Sequence, residues 1–130
     1  MTELKKLTKI WLVAYTIVTL LYGIMYLTIP ELLIGAVGWY DPMDPRVFGG
    51  ICLICSIYAI IILRRKEWES VKLIYSYLFV IFIPTIIINI SLLILLFPTL
   101  SAFALSQFFM GLIFMSILFV LGVSSYIKQK

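Results

Sequence analysis

Four long apolar runs, uncharged in their interiors, alternate with short polar breaks along this chain. A helix needs about 20 mostly apolar residues to cross a bilayer core. The pattern predicts four such spans, at 10–29, 46–63, 73–97 and 102–127. Pro30-Glu31 closes the first. The segment 30–45 is apolar in part but too short to cross, so it is expected to lie at the membrane interface, anchored by Trp39 and Tyr40. Within it, Asp41-Pro42 and Asp44-Pro45 are turn signals. Asp44-Pro45 also predicts a helix start, with Asp44 as the N-cap and Pro45 at the first helical position. The cluster Arg64-Arg65-Lys66-Glu67-Trp68-Glu69 is a polar turn between spans two and three, and Pro98 to Ser101 is an uncharged turn between three and four.

Composition narrows the class. Of 130 residues, 64% are hydrophobic and 12% charged, against roughly 45–50% and about 25% in soluble domains. Mean hydropathy is +1.18. An ordinary soluble domain and a disordered chain are both excluded. Four spans and their turns account for the whole sequence, which predicts a single four-span domain. The first run, preceded by Lys5, Lys6 and Lys9, resembles a signal peptide at its start. It is too long for a signal core and lacks a small-residue cleavage site, so it is expected to stay as a span.

The net charge of +4 bears on topology rather than on nucleic acid, because the cations sit at the ends of apolar runs and form no face able to track a phosphate backbone. With both termini cytoplasmic, nine of the ten Lys and Arg lie inside and only Arg46 lies outside. That distribution follows the positive-inside rule, with Trp11, Trp68, Tyr75 and Tyr126 as expected aromatic anchors at the inner face. The fold class expected is therefore an all-α membrane protein, a four-helix antiparallel transmembrane bundle in the cell membrane. Arg64, Arg65 and Lys66 are placed to meet anionic lipid headgroups.

Candidate chemistry is sparse. Histidine is absent, which removes histidine metal sites and Ser-His nucleophile pairs. No Asp, Glu, Lys or Arg falls in the core of any span, whereas ion-coupled pumps and proton relays normally need one. Cys52 and Cys55 form a C-x-x-C pair inside span two. One reading is redox chemistry; the other is packing, because Gly49, Cys52, Ser56 and Ala59 follow helical spacing as one stripe of small residues. The redox reading lacks a second cysteine pair and a cation near the thiols.

Tyr22, Cys52, Ser56, Asn89 and Gln107 all fall within roughly 7–15 Å of the outer boundary, counting about 1.5 Å per helical residue. They predict one polar layer shared by four helices. It serves either as interhelical hydrogen bonding or as an outward-facing cavity for a lipid tail, a quinone or another apolar ligand. Pro84 removes the hydrogen bond to the Val80 carbonyl and predicts a kink, with Thr85 or a neighbouring helix as the replacement partner. Glu31, Asp41, Asp44 and Arg46 make an outer charged mouth. Arg46 there opposes the positive end of its own helix dipole and needs a nearby acid.

The run Pro30, Gly38-Trp39, Asp44-Pro45-Arg46-Val47-Phe48-Gly49 and Arg64-Arg65-Lys66-Glu67-Trp68 resembles small prokaryotic four-helix membrane proteins of the DoxX-like kind, over about residues 30–72. The resemblance implies a four-helix bundle. DoxX itself is associated with quinone-linked redox complexes, and no catalytic residue maps onto this chain. The function expected is non-enzymatic: a small bundle that binds membrane lipids, a larger membrane complex or its own copies. The alternatives are a quinone-binding, redox-linked protein using Cys52 and Cys55, and an oligomeric small transporter or channel.

Overall fold

The computed structural model describes residues 2–35, 43–65 and 67–129. Its regular structure is helical: α1 Lys6–Thr28, α2 Pro30–Gly35, α3 Met43–Arg64, α4 Trp68–Val80, α5 Phe82–Leu96 and α6 Ala102–Gln129, with a 3₁₀ turn at Phe97–Thr99. Four helical stretches are long and apolar enough to cross a membrane: α1, α3, the run Trp68–Thr99, and α6. They have 23, 22, 32 and 28 residues, and even about 20 residues extend 30 Å at the helical rise. These are the attributes of a multi-pass membrane protein. The helices start ahead of the apolar runs because their polar first turns are helical as well.

Helix ends and irregularities follow local chemistry. α3 begins at Met43, one residue before the expected cap, so Asp44 and Pro45 lie in its first turn and Arg64 in its last. Asp44 and Arg64 both complement the helix dipole. Thr16, Thr19 and Thr28 donate to carbonyls four residues back in α1, so these hydroxyls are satisfied within the helix. The third span breaks at Ile81, between α4 and α5. Pro84 thereby falls in the first turn of α5, where its missing N–H costs little. Thr85 donates to the Ile81 carbonyl at 2.8 Å, which corrects the expectation that it replaces the bond lost at Val80. The Ile81 N–H closes the end of α4 with a bond to the Tyr77 carbonyl at 3.1 Å.

The helices close a ring. α1 packs most extensively against α3 and also against α6; α4 packs against both α3 and α6; α5 packs against α6 and α4. Glycine allows the closest approach. A Cβ on Gly23 would stand 2.7 Å from Leu53 and 3.1 Å from the Gly49 carbonyl, and one on Gly49 would stand 3.0 Å from the Gly23 carbonyl. The backbones of α1 and α3 therefore cross with no room for a side chain, the contact that small residues permit between membrane helices.

The large buried side chains gather at the end that carries both termini: Leu4, Trp11, Tyr15, Trp68, Tyr75 and Phe79 belong to one core cluster. Towards the opposite end the buried residues are small, among them Thr19, Gly23, Gly49, Cys52, Ala104 and Gly111. α5 buries only Phe82, its first residue.

Candidate functional site

At the terminal end the contacts are dense and polar groups are paired. Trp11 donates from Nε1 to the Leu118 carbonyl at 2.7 Å, and its ring lies 4.8 Å from Tyr75 and 5.0 Å from Tyr15. Gly122 makes this approach feasible, since a Cβ there would meet Trp11 at 2.9 Å and Phe79 at 2.8 Å. Tyr75 and Ser125 share a hydrogen bond between their hydroxyls, and Ser125 donates back to the Gly122 carbonyl at 3.0 Å. Trp68 and Tyr126 extend the cluster edge-on at 5.5 Å. Trp11, Trp68 and Tyr75 were expected as interfacial anchors; they are instead buried, to 2% exposure or less.

Gln129 completes this end. It is fully buried. Its Oε1 accepts from the Lys5 N–H and the Thr8 hydroxyl, both at 2.8 Å, and its Nε2 donates to the Glu3 carbonyl at 2.8 Å. The Lys5 ammonium bonds the Lys128 carbonyl. Residues 2–5 are drawn across the helix ends as a strap, with the Trp68 N–H donating to the Thr2 carbonyl at 2.9 Å and Leu4 turned into the core. Sequence reasoning did not find this arrangement. A signal existed: Leu118, Gly122, Ser125 and Gln129 repeat at spacings of four, three and four, one face of α6.

The five residues expected to form one polar layer fall into two groups towards the opposite end. Tyr22, Cys52 and Ser56 belong to the α1–α3 pair. Cys52 and Ser56 are buried, Cys52 and Cys55 are free thiols, and Ser56 donates to the Leu53 carbonyl of its own helix at 2.8 Å. Tyr22 is half-buried beside Tyr26 and, with Val18, Leu21 and Phe114, lines a small cavity of about 130 Å³ between α1 and α6. Asn89 and Gln107 belong to the α5–α6 pair. Asn89 lies on the stripe of α5 that carries Phe82, Ile86 and Leu93, and Gln107 lies between Ala104 and Gly111 on α6, so both occupy the less exposed faces. Both are half-buried, and neither amide has a hydrogen-bond partner among the described residues. No hydrogen bond joins the two groups.

Of the charged mouth, Arg46 pairs with Glu31 at 2.7 Å, with both side chains exposed. Glu31 is thus the acid that offsets the dipole at the start of α3. Asp44 is exposed, and Asp41 lies outside the described residues. Of the basic cluster, Arg64 and Arg65 are exposed and Lys66 lies outside the described residues, as do Trp39 and Tyr40. Below the cluster, a groove of about 540 Å³ opens between α3 and α4, with Ile51, Ile54 and Tyr58 on one wall and Leu73, Ile74 and Tyr77 on the other.

Set against known proteins, the chain matches no family model, no curated protein and no solved structure.

Proposed function

We propose that this chain is a four-helix antiparallel bundle of the cell membrane with both termini cytoplasmic, and that it acts without chemistry of its own, as an accessory that holds a lipid or a partner helix in the half remote from its termini. The observation that carries this reading is the pair of unpartnered amides, Asn89 and Gln107, on the less exposed faces of α5 and α6. An amide within a membrane span needs a hydrogen-bond partner, and the described residues offer it none. Its orientation rests on charge: Lys5, Lys6, Lys9, Arg64, Arg65, Lys72 and Lys128 belong to the end that holds the termini, as the positive-inside rule requires of a cytoplasmic face. The DoxX-like motifs add an architecture of the same kind.

Native mass spectrometry of the protein released gently from its own membrane tests the proposal. A lipid or partner chain retained at fixed stoichiometry, and lost from Asn89→Leu and Gln107→Leu together, is the expected result. A bare monomer whose mass neither substitution alters would overturn it. Labelling of a cysteine introduced at Thr2 by an impermeant maleimide, only after the membrane is opened, checks the orientation.

A further inference from the structure

The groove between α3 and α4 lies on the face of α3 that leads towards Arg65, an arginine without an ion pair among the described residues. Ile51 and Tyr58 on α3 and Arg65, the residue just past its end, follow at seven-residue spacing, so they share one stripe. Arg65 stays in helical register because its N–H bonds back to the Ile61 and Ile62 carbonyls, at 3.2 and 3.0 Å. On the facing wall Ile74 and Tyr77 lie three residues apart on α4. Arg65 is exposed and forms no ion pair among the described residues, whereas Lys72 is engaged with Glu69. Arg64, its neighbour, points about 100° away around the helix, off the groove.

We infer that this groove binds one acyl chain of an anionic phospholipid, whose phosphate is held by Arg65. The inference rests on the proposed membrane embedding, which places Arg65 at headgroup level. Three features favour a lipid. The walls are mainly apolar, so an acyl chain leaves no polar group unpaired. The Tyr58 and Tyr77 rims present hydroxyls that can rise towards the ester region, as amphipathic side chains do near a membrane surface. Arginine is also the cation best matched to phosphate, by its forked donors.

The test uses the full chain in vesicles of equal phosphatidylglycerol and phosphatidylcholine, extracted in mild detergent and weighed intact. Both leaflets hold both lipids, so the result does not depend on which way the protein faces. Wild type should retain phosphatidylglycerol in preference to phosphatidylcholine. Arg65→Gln should reduce that preference by about fivefold, the effect of one basic residue near a charged headgroup. Arg64→Gln, of equal charge change, should leave it unaltered. Ile74→Trp should fill the groove and remove the preference for phosphatidylglycerol. Equal losses from Arg64→Gln and Arg65→Gln would mean diffuse attraction and would overturn the site. So would a wild type without preference, or a lipid-free dimer mass with a second copy in the groove. The adduct lost on Asn89→Leu belongs to the other half of the molecule, so failure here and failure of the proposed function are told apart.

Discussion

The end of the molecule that carries the termini and the end remote from them differ in kind of contact. At the first, bulky aromatics interlock, and Trp11, Tyr75, Ser125 and Gln129 each find a hydrogen-bond partner within the chain. At the second, the buried residues are small, α5 fully buries only its first residue, and Asn89 and Gln107 have no partner among the described residues. Lipid chains are as apolar as leucine, so apolar surface alone does not draw membrane helices together. What holds them is close packing and satisfied polar groups. The terminal end has both, and the remote end has packing chiefly where Gly23 meets Gly49. The proposed function rests on this contrast between a densely packed end and a less saturated one.

The largest test of this contrast is Trp11→Ala against Phe114→Ala. Removing Trp11 opens a cavity between α1, α4 and α6, and should cost ~3–5 kcal/mol. Phe114 is 43% exposed and should cost less than ~1 kcal/mol, since a half-exposed ring leaves little cavity. Reversible unfolding in mixed micelles measures both, and equal losses would break the comparison. Next is the helix crossing. Gly49→Leu forces a side chain against the Gly23 carbonyl and should cost ~2 kcal/mol. Gly50→Leu, at a position whose Cβ meets nothing within 4 Å, should stay within ~0.5 kcal/mol of wild type.

Smaller is the effect of the buried amide. Gln129→Ala leaves the Lys5 N–H, the Thr8 hydroxyl and the Glu3 carbonyl without their partner, and should cost ~1–2 kcal/mol. Faster hydrogen exchange at Lys5 would report the freed strap. Gln107→Ala in the purified, ligand-free protein should change stability by no more than ~0.5 kcal/mol, having no internal bond to lose. A small, salt-dependent effect belongs to the exposed pair at the remote end. Arg46→Ala should cost ~0.2–1 kcal/mol at low salt, and the difference should shrink as salt is raised.

The spans were legible because about 20 apolar residues in a row report directly on length and transfer cost. The small-residue stripe of α3 was legible too, and Gly49, Cys52, Ser56 and Ala59 are all buried. The need of Arg46 for an acid followed from the helix dipole, and Glu31 proved to be the partner. The aromatic anchors were misread. Trp and Tyr near a span end fit a membrane interface and a buried cluster equally well, and only the neighbours decide. Counting helical rise sets Asn89 and Gln107 at a similar level along their helices, but level along a helix says nothing of the distance across the ring.

Sequence alone determined that this chain is helical and that four of its helical stretches are long and apolar enough to cross a membrane. Backbone polar groups in hydrocarbon must bond within their own helix, so each span is specified by its own residues. Tertiary structure alone decided which residues meet across helices: Gly122 under Trp11, Gly23 against Gly49, Gln129 beneath the strap, and the groove between α3 and α4. A membrane helix is apolar on every side, so no amphipathic stripe marks its inner face. Shape complementarity and the pairing of a few polar groups choose the neighbours, and both are properties of helices already brought together.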